Sequence, residues 1–291
     1  MTDILFLVLI YGFCMGSIYL LVSLGFSIIC GVLRIFHLGY AYIFPLAVYG
    51  TWMFMQELGW GLVPSILGMF AVQFAVSYFI YRGMITRYLE KEEILLTGLL
   101  LVALIVEQGA NYLYPIQAGV FLDTTLVEGT SQLGVTMISS QLLAGSIIAL
   151  LLTALFVLFF VKTRIGLAVR ALSQDIRSSR IVGINVEALY VFTMMFVLVP
   201  VIIGVLIVAP VWTLEPGMGW LYMTIAILVS VLGGLGNIRG TIMASYLIGI
   251  THAVMCFVVG EPRFMTLSAL VLVLVILVLR PQGLTRSEAL W

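Results

Sequence analysis

The chain has 291 residues, of which 63% are hydrophobic and only 9% charged, with thirteen basic and thirteen acidic residues in balance. A water-soluble domain carries about a quarter of its residues charged, so this composition excludes a soluble globular protein. The zero net charge gives no reason to expect a nucleic acid or acidic polymer as partner.

A helix crosses the ~30 Å hydrocarbon core of a bilayer with about 20 apolar residues. Runs of that kind occupy 4–30, 35–55, 61–81, 94–115, 139–161, 187–209, 219–236, 242–260 and 265–279. The fold class they imply is all-α: a polytopic transmembrane helical bundle forming a single domain over residues 1–291. Its nine spans become eight if the second is broken or re-entrant near Arg34–Pro45, where Arg34, His37, Gly39 and Pro45 interrupt the apolar run. Met1-Thr2-Asp3 has no basic character and no cleavage site follows it, so the first run reads as a retained span. Cys14, Cys30 and Cys256 show neither a disulfide framework nor metal-ligand spacing, and no metal site is expected.

Lys and Arg set the orientation. Alternating spans put Arg34, Arg82, Arg87, Lys91, Lys162, Arg164, Arg170, Arg177, Arg180, Arg239, Arg280 and Arg286 on one side and leave Arg263 alone on the other. By the positive-inside rule the N-terminus is outside and the C-terminus inside. Two connections exceed what a helical hairpin needs. The outer one, 117–138, carries no basic residue and reads as a short hairpin or cap over the outer mouth. The inner one, 162–185, holds five of the thirteen basic residues. Within it Ser173 can cap a short helix, with Asp175 in the first turn, that runs through Val182 and stops at Gly183. Its mixed face of Ile176, Ile181, Val182, Arg177 and Arg180 suits either a docking element or a helix resting on anionic lipid.

No Gly-Lys pair exists, so the chain has no phosphate-binding P-loop and binds no ATP itself. The glycines of Gly233-Gly234-Leu235-Gly236 follow an apolar span, and helix packing or a backbone bend accounts for Gly233, Gly234 and Gly236 better than nucleotide binding. Polar groups inside spans are costly and line a pathway or satisfy one another. His37, Tyr40 and Tyr42 in the second run are pathway candidates, as are Glu107, Gln108 and Asn111 in the fourth, which can share one patch of a helix. His252 is a weaker candidate.

Four stretches resemble the permeases of high-affinity branched-chain amino acid ABC importers and their urea and amide relatives. They are GFSIICGVLRIFHLGYAYIFPLAVYG from Gly25, TRIGLAVRALSQDIRSSRIVGINVEAL from Thr163, VLGGLGNIRGTIMASYLIGITHAV from Val231 and LRPQGL from Leu279. The resemblance implies a permease subunit in the bacterial or archaeal inner membrane that forms half of an importer pore and is not an enzyme. Its implied partners are a second homologous permease, two cytoplasmic ATPases that use ATP, and an extracytoplasmic solute-binding protein. It also implies that Thr163–Leu189 holds the helix coupling transport to the ATPase, with Arg164, Gly166, Arg170, Ala171, Asp175, Gly183 and Ile184 matching the family pattern. Where many members have Asn-Phe-Ala-His-Gly-Glu, this chain has His37-Leu38-Gly39-Tyr40-Ala41-Tyr42, and Arg239 stands where proline is frequent. Branched-chain amino acids are the family's usual solute; urea, short amides or small carboxylates stay open. An ATP-independent transporter would call for paired acids in mid-span, and Glu107 is the only clear intramembrane acid. A membrane enzyme would need a converging cluster, and the two histidines lie in different spans.

Overall fold

The computed structural model describes residues 2–89, 91–114, 119, 122, 127–133, 136–213 and 215–285. Arg286 and much of the 117–138 connection lie outside these residues. Eleven α-helices are named here: α1 (Thr2–Leu33), α2 (Ile43–Gln56), α3 (Leu62–Ile80), α4 (Glu92–Leu113), α5 (Ser140–Lys162), α6 (Arg164–Gln174), α7 (Ile176–Ile181), α8 (Val186–Val208), α9 (Met218–Gly233), α10 (Ile238–Val254) and α11 (Met265–Leu279). α3 runs on through a π turn to Tyr88, and α10 through another to Val259. Thr130–Leu133 and Thr136–Ser139 pair as an antiparallel hairpin before α5.

Helix length alone does not confirm the expected eight or nine spans. Among the described residues seven helices are long and apolar enough to cross a membrane. α2 has 14 residues and α9 has 16, and at 1.5 Å per residue they reach only about 21 and 24 Å. The run 35–55 is the broken one: after Leu33 the chain passes through Arg34, makes a 3-10 turn over Leu38–Tyr42, and only then enters α2.

α1 forms the axis of the bundle and packs against α5, α8, α9 and α10. Its approach to α10 is set by missing side chains. A β-carbon on Gly249 would fall 2.5 Å from the Gly12 carbonyl oxygen and from the Gly16 nitrogen. Small residues let two helix backbones meet where lipid supplies no hydrophobic drive. At the far end of α1, Gly31 faces the Gly236 α-carbon. The turn between α9 and α10 uses left-handed backbone at Gly234 (φ 94°) and Gly236 (φ 80°), and Gly233 lies against the backbone of Gly240. Asn237 then caps α10 by accepting from the Gly240 N–H at 3.1 Å.

The described Lys and Arg residues other than Arg263 gather at one end of the bundle, with α6, α7 and the junctions α1–α2, α3–α4 and α9–α10. Gly249→Val should force α1 and α10 apart, with an overpacking cost of about 1–3 kcal/mol or more. Thermal unfolding in detergent should show a lower midpoint than wild type, whereas Gly109→Ala, with open space at its β-carbon, should match wild type.

Candidate functional site

The break after α1 carries three of the pathway candidates into the middle of the protein. His37, Tyr40 and Tyr42 are all buried. The 3-10 turn opens with Tyr40 N–H donating to the His37 carbonyl at 2.9 Å. Four helices hold it. The Tyr40 hydroxyl donates to the Val22 carbonyl of α1 at 2.6 Å, and a β-carbon on Gly25 would strike that hydroxyl. From α3, Gln73 donates to the Ile43 carbonyl at 2.8 Å, and Ser77 lies beside Tyr42. α4 presents the Leu99 carbonyl to Gly39, and α9 places Gly219 directly against the Ala41 carbonyl. Neither ring nitrogen of His37 has a partner among the described residues.

Rings continue the contact from one end of the break to the other. Phe36 meets Phe26 edge-on at 5.6 Å, and Phe26 meets Tyr40 at 5.3 Å. Tyr40 then meets Phe44 at 5.8 Å, and Phe44 stacks on Tyr222 of α9 at 5.3 Å. A cavity lies at each end of this aromatic column. At the basic end, about 290 Å³ is lined by Arg34, Ile35, Phe36, Glu92, Leu95 and Leu96. At the opposite end, about 380 Å³ is lined by residues that include Trp212, Glu215, Gly217 and Tyr222. Phe36 lines the first and Tyr222 the second, so the column runs from one to the other.

The second group of candidates sits near the opposite end of α4. Leu95, Leu99 and Ala103 form its buried stripe, and Glu107 continues that four-residue spacing. Glu107 is half-buried and accepts from the Trp220 indole N–H at 2.5 Å. Gln108 and Asn111 are exposed. The two groups of candidates do not meet directly. The start of α9 joins them: Gly219 supports Ala41, Trp220 holds Glu107, and Tyr222 stacks on Phe44. These three residues were not singled out from the sequence, and the closely spaced Gly217, Gly219, Trp220 and Tyr222 were the signal available. His252, the weaker candidate, is buried against α1, where its Nδ1 lies 2.8 Å from the Tyr19 hydroxyl.

The segment 162–185 folds as two helices, not one. Thr163 caps α6 by accepting from the Gly166 N–H at 3.0 Å, and Gly166 lies tight against the Phe160 backbone of α5. The expected cap at Ser173 is corrected to Asp175. Ser173 lies inside α6, where its hydroxyl donates to the Arg170 carbonyl at 2.7 Å. The Asp175 carboxylate accepts from the Ser178 hydroxyl at 2.6 Å and from the Arg177 N–H at 2.8 Å. The Ser178 hydroxyl first, then the backbone N–H groups of Ser178 and Arg177, hold this carboxyl below the usual carboxylate range. α7 ends at Gly183 (φ 90°), with Ile184 N–H donating back to the Ser179 carbonyl at 3.0 Å.

The motif residues of this segment divide by contact. Arg170 turns back and donates to the Val161 carbonyl at 3.3 Å, Gly166 is buried, and Ala171 and Ile184 are half-buried. Arg164 is exposed, as are Arg177 and Arg180. Ile181 and Val182 are 86% and 81% exposed, at a point where the chain has left the apolar body of the bundle. Among the described residues no group of three or more His, Cys, Asp or Glu could hold a metal.

Comparison with known proteins agrees with this architecture. A family model described as branched-chain amino acid transport system / permease component matches residues 8–279. The high-affinity branched-chain amino acid transport system permease protein BraD of Pseudomonas aeruginosa is 25% identical over 294 residues, covering 95% of this chain and 94% of that protein. The corresponding LivH protein of Escherichia coli K12 is 22% identical over 305 residues, with 95% and 94% covered. No solved structure matches. With seven helices of spanning length, this is a multi-pass membrane protein whose relatives are transport permeases. The match over residues 8–279 places the chain in the family of branched-chain amino acid transport system permease components.

Proposed function

We propose that the chain is one of two permease subunits that together form the pore of an ABC importer in the inner membrane, moving branched-chain or similar small amino acids. It binds no cofactor; ATP is used by two separate cytoplasmic subunits, and an extracytoplasmic binding protein delivers the solute. The N-terminus lies outside and the C-terminus inside, so α6 and α7 face the cytoplasm. Nine crossings fit this arrangement. The turn Leu38–Tyr42 and α2 together extend about 31 Å, and α9, though short, crosses inside the bundle with most of its surface buried.

One observation carries the reading. At the basic end, inside the stretch most specific to the family, Ile181 and Val182 stand exposed between Arg180 and the Gly183 turn. Bare aliphatic side chains there suit a cleft in an ATPase subunit, since exposed apolar groups rimmed by polar residues mark interaction sites. His37, Tyr40 and Tyr42, with Glu107, Gln108 and Asn111, remain the proposed pathway residues. A buried imidazole with both nitrogens unpartnered is costly in one fixed state, which supports a second state in which His37 meets water or solute. The ring column between the two cavities is then the closed barrier.

Replacing Ile181 and Val182 together by Asp should weaken ATPase-subunit binding at least about tenfold, the scale of losing central apolar anchors. Co-purification from membranes measures it, with normal membrane insertion as the control; full co-purification would count against docking at this tip. Labelling of Arg177→Cys by an impermeant maleimide should occur in inverted vesicles and not in intact cells, and the reverse pattern would end the importer reading. A carboxyl whose folded pKa is depressed stabilises above its unfolded value of about 3.9 and loses that contribution as pH falls through the folded value. The Asp175 cap is therefore complete at neutral pH. Asp175→Ala should weaken ATPase binding there, while Asp175→Asn, also a good cap, should retain most of it.

A further inference from the structure

Arg34 is, among the described residues, the one non-glycine residue with positive φ, at 56°. An L-residue of this size rarely holds that conformation, and it persists where surrounding contacts over-determine it. Two such contacts hold it: the Arg34 guanidinium donates through Nη2 to the Ser173 carbonyl at 2.9 Å and to the Gln174 carbonyl at 2.9 Å. These are the last two carbonyls of α6, groups that a helix leaves without intrahelical partners and that carry its negative dipole end. Arg34 also lines the cavity at the basic end beside Phe36, the first ring of the aromatic column.

We propose that Arg34 is a positioning residue that transmits movement of the docking helices to the barrier. The inference rests on the coupling role given above to α6 and α7. α6 is fixed to α5 through Thr163 and Gly166, and α7 leads into α8 through Gly183. Neither covalent route reaches the break between α1 and α2. Arg34 does: its side chain grips the α6–α7 joint, and its backbone opens the segment that bears Phe36, His37 and Tyr40. Closure of the ATPase pair on α7 then shifts the end of α6, and the hold of Nη2 on its two carbonyls pulls the foot of the ring column with it. The left-handed backbone turns the Arg34 side chain toward α6 while the chain itself turns toward α2.

Arg34→Gly tests this with little risk to the fold, because glycine adopts positive φ without strain and only the side-chain link is lost. The full transporter, with its ATPase subunits, is placed in inverted vesicles; Cys14, Cys30 and Cys256 are replaced by Ala and Leu38 by Cys. The readout is the rate at which a maleimide labels position 38, with and without Mg-ATP and vanadate. This needs no knowledge of the solute. With Arg34 present, trapping should change the rate about tenfold, within the span of ordinary allosteric coupling. With Arg34→Gly the ATPase subunits should still co-purify and the change should fall below about twofold. Arg34→Lys, whose ammonium can still reach a carbonyl, should restore at least part of it. An Arg34→Gly transporter that responds as fully as the parent overturns the proposal, as does an Arg34→Lys variant no better than Arg34→Gly. If the parent with Arg34 binds its ATPase and shows no response, the coupling reading itself falls, and this inference with it.

Discussion

A bilayer interior offers no water to a free N–H or carbonyl, and that constraint governs the break between Leu33 and Ile43. An α-helix satisfies its own backbone; a left-handed residue followed by a 3-10 turn cannot do so completely. The protein answers by enclosing the break in helices on every side. Gln73 supplies a side-chain amide to the Ile43 carbonyl. Gly219 and Gly39 remove side chains so that α9 and α4 can close over the turn, and Tyr40 sends its hydroxyl to α1. Non-helical backbone at membrane depth survives only when it is buried in protein or lines a cavity, and in this structure Gly39–Tyr42 are buried in protein.

The same constraint explains why glycine is concentrated on α1, α9 and α10. α1 is 32 residues long and must be approached closely if it is to shield the break and the α9–α10 turn together. Gly12, Gly16 and Gly249 bring α10 onto it, and Gly31 brings Gly236 onto its far end. Without a hydrophobic drive between helices in lipid, contact distance determines how much dispersion attraction each pair gains. Adding a single methyl at the α1–α10 crossing would remove that contact along several turns of both helices.

Composition, the positions of arginine and lysine, and the interruption at Arg34–Pro45 made the helical membrane class, the uneven charge of the two ends and the broken second run legible from the sequence. The number of helices long enough to cross was not legible, because hydropathy reports apolar length and not where hydrogen bonding stops. The run 35–55 is apolar throughout much of its length, yet only 14 of its residues form α2. The role of α9 was hidden for a different reason. Trp220 reaches Glu107 across 113 positions of sequence, and Gly219 meets Ala41 from even further away; period and propensity carry no such information. The cap of α7 was misplaced by two residues because Ser173 and Asp175 are both good caps in isolation. What decided between them was α6, which extends through Gln174 and takes Ser173 into its last turn.

The family-matching residues of the α6–α7 segment are not simply a list of partner contacts. Several of these residues are engaged within the chain itself: Gly166 is buried against α5, Arg170 donates to the Val161 carbonyl, and the exposed Asp175 and Gly183 cap the start and end of α7. These contacts fix α6 against α5 and set the joint between α6 and α7. Under the proposed docking role, the most recognisable residues set the geometry of the segment, while the exposed Ile181 and Val182 are the ones left to meet a partner.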